Sequence, residues 1–412
     1  MLQAPTSVTA GARTVPAGPP RISIATPGDN VDALVATLPP GSTLRLSPGE
    51  YAGPVHLDRP MTLEGAGATL VGPGRGSVLV IGAPDVTVRG LAVRGGGHDA
   101  TTGDAGVLVV APRFHIEGLD IADVLVGLDL READDGVVKG CVVRGDPETP
   151  MGVRGDGIRL WESDRNQIVD NQLTDVRDLV VWYSNGNMVR GNDVRRARYG
   201  VHFMHADENH VEGNRFEGDV VGVFVMYSHD IVLTDNVVTG ADGAAGVGFG
   251  FKESDTVTVT GNRLMGNTAG IYLDSTPQRV GGTAVFRDNL LAYNHTGLRF
   301  HGVHAGASFV DNDLHENSVP VVVDGNDQAT EVLFEGNRWS DYVGYDLDGD
   351  GYGDLAHAPR LLSRGMLERR PVARFFEGTP AATLLDFLGA VFPMWAPPPL
   401  YTDARPRMGG LR

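Results

Sequence analysis

Apolar and other residues alternate in short runs over most of the chain, which is the two-residue period of a β-strand and not the 3.6-residue period of a helix. The stretch 200–228 shows the unit. Gly-Val-His-Phe-Met-His at 200–205 returns 22 residues on as Gly-Val-Phe-Val-Met-Tyr-Ser at 222–228. A pair ending in Asn marks the repeats from Asp170-Asn171 to Gly336-Asn337, at steps of 21 to 27 residues. A glycine-led strand marks them a second time, for example at Gly157, Gly200, Gly222 and Gly270.

A repeat of this length with two or three short strands predicts an all-β fold. It is a right-handed parallel β-helix of about ten to twelve coils, stacked about 4.8 Å apart. Asn suits the corners because it tolerates left-handed backbone angles and its amide can hydrogen-bond from coil to coil. Leucine-rich repeats share the period, but their Leu-rich signature is absent.

The ends depart from the repeat. Residues 1–24 have no periodicity and read as a disordered segment. From Asp29 to Leu38 the pattern predicts a short helix, capped by Asp29 or Asn30, with Val31, Leu34, Val35 and Leu38 on one face. With the strands of 42–51 it would form a lid over the open end of the solenoid. The solenoid domain is assigned to 25–340, an Asp-rich loop to 341–358, and a C-terminal helix with a Pro-rich tail to 359–412. Thr379 caps that helix and Pro380 opens it, with Ala381, Leu384, Leu385, Leu388, Val391 and Phe392 as its apolar stripe.

Charge narrows the partners. Lys+Arg 34 against Asp+Glu 52 leaves a formal net charge of −18 over 412 residues. That argues against nucleic acid, anionic membranes and polyanionic sugars, and is compatible with cations. A single cysteine, Cys141, excludes an internal disulfide and a multi-cysteine metal site, and reads as a small buried apolar residue. No apolar run approaches the roughly 18 residues of a membrane span. The start, Met1 to Pro20, has no apolar core of signal-peptide length, so either the protein is cytosolic or its true start or a cleaved signal lies outside this sequence.

Aligning the glycine-led strands puts Val201/Phe203, Val223/Val225 and Ile271/Leu273 inward. The second and fourth positions after glycine then face outward. They form an apolar stripe of Trp161, Trp182, Phe224 and Tyr272, which reads as a partner-docking surface. They also place Met204 and Met226 on neighbouring coils, with His202 and His205 beside them. Thioether and imidazole are a soft donor set suited to Cu(I), and without thiolates the ion would be held transiently. The plainer reading is that Met and aromatic side chains fill a surface under a covering loop or a partner.

Two other constellations carry alternatives. Asp346, Asp348 and Asp350, then Gly351 and Asp354, match the first half of an EF-hand-type calcium loop, with His357 where the bidentate Glu belongs. A structural calcium and a solvated turn sealing the solenoid are the two readings. Parallel β-helices often act on polysaccharides, and Asp129, Glu132, Asp134 and Asp135, or Asp156 and Glu162, offer carboxylate pairs. No Lys or Arg base sits evidently above a carboxylate cluster on one face. The reading is therefore a non-enzyme, with a polysaccharide lyase, an epimerase or a sugar-binding module as the alternative.

The strings Gly155–Trp161, Asp178–Ser184, Tyr199–Met204, Val221–Ser228, Gly270–Asp274 and Asp346–Asp354, in this order, resemble the NosD family. The likeness runs from about Asp29 to the end of the C-terminal helix. These are periplasmic β-helix proteins of the nitrous oxide reductase maturation system. The resemblance implies work with an ABC-type membrane subunit and its ATPase. It also implies delivery of copper towards nitrous oxide reductase and a membrane-anchored copper chaperone as a further partner.

Overall fold

The computed structural model describes residues 18–302, 305–324, 329–360, 379–392 and 398–409. The architecture is an all-β, right-handed-type parallel β-solenoid of about fourteen turns. That is more than the ten to twelve expected. Part of the difference lies at the N-terminus. Ile22–Ala25, which begins within the last residues of the segment 1–24 expected to be disordered, pairs in parallel with Thr43–Leu46. The strands expected to form a lid therefore belong to the stack itself. A short helix, Val31–Thr37, stands between them, with the Asn30 side chain accepting from the Ala33 amide. The chain divides into two compact units, Met1–Asp219 and Val220–Arg412, which are described in turn.

In the first unit the coils after the first contribute one strand to each of three parallel sheets. The two-residue alternation delivers one side chain per short strand to the interior. Val88, Ile116, Val138, Ile168, Val189 and Val211 stack as register partners, every one fully buried. Burying a side chain of this size contributes about 1.5–3 kcal/mol. Cys141 is buried as expected, and burial pushes its thiol up to about 11.

The corners hold amide ladders. Asn192 Oδ1 accepts from both the backbone and the side-chain amide of Asn171, each at 2.9 Å, and Asn214 repeats this for Asn192. The coil-to-coil bonding is thus as the sequence suggests, but the left-handed angle falls elsewhere. It belongs to the preceding residue, with φ of 56° at Asp170, 65° at Gly191 and 63° at Gly213. The Asn side chain can then turn inward without backbone strain of its own. A second row, Asn166, Asn187 and Asn209, follows Arg165, Gly186 and Glu208, so only Asn187 sits in such a pair and the row was not apparent in the sequence.

The second unit repeats the plan, with one Asn row from Asn236 to Asn337 and another through Asn267, Asn294 and Asn317. Phe286, Phe309 and Phe334 stack in its interior, with ring centroids 4.5 and 5.4 Å apart. The last coil is closed by the tail. Asp403 Oδ2 accepts from the backbone and side-chain amides of Asn337, both at 3.0 Å, and from the Trp339 indole at 3.1 Å. Asp403 thereby takes the place that the Asn of a further coil would have. Tyr401 stacks on Trp339 at 4.8 Å. The helix Pro380–Val391, capped by Thr379, leaves Leu384, Phe387 and Phe392 exposed.

Candidate functional site

The outward face of one sheet in the first unit gathers the chemistry. It is formed by the strands Val126–Arg131, Ile158–Trp161, Asp178–Trp182 and Tyr199–Met204. Register places Asp129 beside Arg159, Trp161 beside Trp182, Val180 beside His202, and Trp182 beside Met204.

The lower part of this face is an ion network. Asp129, fully buried, accepts from Arg131 Nε at 2.7 Å and from both Arg159 Nε and Nη2 at 2.9 and 2.6 Å. Asp156 takes a two-pronged contact from Arg177 at 2.9 and 3.0 Å. Asp178 is bound by Arg198. The sequence showed no basic residue over a carboxylate cluster. The structure places four there: Arg131 from the strand of Asp129 itself, and Arg159, Arg177 and Arg198 from coils 20 to 30 residues away. Burial pushes the Asp156 carboxyl up, and Arg177 opposes it. Of the other proposed acids, Asp134 and Asp135 are paired with Arg165.

Above the network runs an aromatic row. Trp161 and Trp182 meet edge to face at 6.1 Å, and Trp182 meets the His202 ring at 5.4 Å. Tyr199 covers the other side of His202 at 4.6 Å, with Arg198 lying over Tyr199. Tyr183, missed in the sequence, contacts Trp161 and stacks on His205 at 5.3 Å. This corrects the placement of His202. Alternation puts it on the outward side, as it does Val180, yet both are buried. Period tells which side a residue faces, not what covers it. Met204 is half-buried and His205 is exposed, at a φ of 51°.

Burial depresses the His202 imidazole to about 4, with Arg198 and Arg177 acting in the same direction and Asp178 opposing. The unfolded chain then binds more protons between about pH 6.5 and 4, so stability is full above that window and is lost as pH falls through it. The depression corresponds to about 3 kcal/mol. Denaturant melts at pH 7 and 4.5 are expected to differ by less in His202→Gln than in the wild type.

In the second unit Phe224 lies across Gly250, where an added Cβ would meet the ring at 2.4 Å, and Tyr272 follows in register. Phe224, Tyr272 and Met226 are all half-buried. Met226 ends its strand beside Lys252. In the acidic loop, Asp346, Asp348 and Asp350 bring oxygens within 4.8 Å of one another, and Asp354 is not among them. It accepts from the Leu347 amide instead. Asp350 is paired with Arg405 at 2.8 Å, and Asp346 accepts from Gly349 and Gly351. These bonds are those of a self-satisfied turn.

Fold and face together define a parallel β-helix protein that carries a Met–His–Trp cluster on an outer sheet. Residues 127–344 match the family described as Periplasmic copper-binding protein (NosD). The probable ABC transporter binding protein NosD of Stutzerimonas stutzeri is 30% identical over 402 residues, taking in 88% of this chain and 86% of that protein. Its namesake in Pseudomonas aeruginosa is 29% identical over 412 residues, with 88% and 87% covered. This chain belongs to the NosD family. Among solved structures, the catalytic domain of a GH87 α-1,3-glucanase in complex with nigerose aligns with a TM-score of 0.59 at 11% identity, over 80% of this chain and 71% of that one. The A-module of the Azotobacter vinelandii mannuronan C-5 epimerase AlgE6 aligns at 0.54 and 16% identity, over 74% and 93%. At such identities the likeness is one of fold alone.

Proposed function

We propose that the protein handles copper in the periplasm as the NosD component of an ABC-type system. It would hold Cu(I) transiently through soft donors, Met204, His202 and His205 in the first unit and Met226 in the second, on the way to nitrous oxide reductase. The observation that carries this is the first unit's outer sheet, where the half-buried Met204 stands beside His202 and the aromatic row. Thioether and neutral imidazole are soft donors. The neighbouring buried carboxylates Asp129, Asp156 and Asp178 are each engaged by arginine, so they offer little to a hard cation. The family's description as a periplasmic copper-binding protein and the relatives' names support the same reading.

The partners accord with that role: a membrane subunit with its ATPase, a copper chaperone, and the reductase. The half-buried Trp161–Trp182 edge of the first unit and, separately, Phe224 and Tyr272 of the second are proposed as docking surfaces. We propose no catalytic function, because a glycosidic acid–base pair needs one free carboxylate and one protonated carboxyl, whereas the buried ones here are arginine-bound. Release of unsaturated or reducing ends from acidic polysaccharides would overturn that part.

The deciding measurement is anaerobic Cu(I) titration against a competing chelator. Met204→Leu and Met226→Leu are each expected to weaken binding at least about tenfold, or about 1.4 kcal/mol. Equal affinities in wild type and both variants would eliminate the site.

A further inference from the structure

The aromatic row does more in this geometry than fill the surface, and its role there rests on the copper reading of the same face. We propose that the indole of Trp182 is a wall of the Cu(I) site in the first unit, with its π face turned to the ion that Met204 and His202 hold.

Three observations lead there. Trp182 is the register partner of Met204, so their Cα atoms stand about 4.8 Å apart on the same outward side. His202 is two residues before Met204 on that side, and its ring contacts the Trp182 ring at 5.4 Å and 86°. One thioether, one imidazole and one indole thus surround a common place within a single pair of strands. Secondly, the Trp182 Nε1 atom is buried and has no hydrogen-bond partner. An unmet buried donor is costly, because it has given up its bond to water. Apolar packing alone would be served by Phe without that cost, so the indole contributes through its face, which is the most negative of the aromatic side chains. Thirdly, the place is screened. Trp161 and Tyr199 close it on either side, and the carboxylates beneath it are occupied by Arg131, Arg159, Arg177 and Arg198.

A cation–π contact strengthens as water is excluded. Cu(I) accepts few ligands, and a π face can close its remaining side. Cu(II) favours a tetragonal set of N and O donors, whereas this place offers one imidazole nitrogen with a thioether and an indole face. Trp182 would therefore select the oxidation state as well as contribute affinity.

The test is anaerobic titration of the full chain with Cu(I), measuring indole emission together with chelator competition. Wild type and Trp161→Phe are expected to lose emission as copper binds. Trp182→Leu is expected to bind Cu(I) about 3- to 30-fold more weakly and to show no change in its remaining emission. Trp182→Phe keeps a ring. It should lose the emission change with a smaller loss of affinity, and it serves if the leucine variant fails to fold. If Met204→Leu weakens Cu(I) binding while both Trp182 variants bind as wild type does, the wall is refuted and the copper site stands. If the wild type binds no Cu(I), both fall.

Discussion

Replacing Asp403 with alanine is expected to destabilise the C-terminal coils by about 3–5 kcal/mol. The substitution strands three buried donors at once: the backbone and side-chain amides of Asn337 and the indole N–H of Trp339. Each buried donor without an acceptor costs about 1–3 kcal/mol, and partial entry of water keeps the total below the sum. Asp403→Asn retains one acceptor oxygen and should lose about 1 kcal/mol. In a solenoid each coil rests on its neighbours, so the damage is local before it is global. Hydrogen exchange should therefore accelerate first over Leu333–Trp339, then over Ala307–Val310. Unchanged exchange there would mean that the tail does not close the stack.

Arg177→Leu is expected to lower stability by about 3 kcal/mol at neutral pH, the lower end for breaking a buried ion pair, because Asp156 keeps only the longer contact to Arg159 at 3.8 Å. Asp156 is buried, and its two carboxylate oxygens accept from Arg177 at 2.9 and 3.0 Å. The direction with pH comes from the carboxyl. Burial already raises it above the ordinary value of 3.8, and loss of Arg177 raises it further. The folded state then binds more protons than the unfolded one, so stability falls as pH rises through the folded value. The deficit should accordingly be largest at pH 7 and smaller at pH 4.5. Arg177→Lys keeps the charge but not the two-pronged geometry, and should lie between. Denaturant midpoints at the two pH values decide it. An equal deficit at both would place the cause outside the Asp156 carboxylate.

The solenoid was legible because its cause is local and repeated. A two-residue alternation interrupted by Gly-Asn or Asp-Asn pairs dictates strand, corner and strand, as in Gln167–Val169, Asp170-Asn171 and Gln172–Thr174. The inward row was legible for the same reason, with Val201 and Phe203 both fully buried. The row through Asn166 was not, because Arg165, Gly186 and Glu208 precede its asparagines and leave no constant pair to count. Nor was the cover at Asp403, which lies 66 residues from Asn337 and carries no repeat signal.

The candidate site divides the same way. The residue types of Met204, His202 and Trp182, and the side of the strand they share, are consequences of alternation that can be counted along the chain. That His202 lies under Trp182 and Tyr199, and that Asp129, Asp156 and Asp178 are each claimed by arginine, depend on which coils lie side by side. A periodic pattern specifies direction along one strand. Burial, pairing and charge compensation are properties of neighbours brought together from distant parts of the chain, and only the tertiary structure decides them.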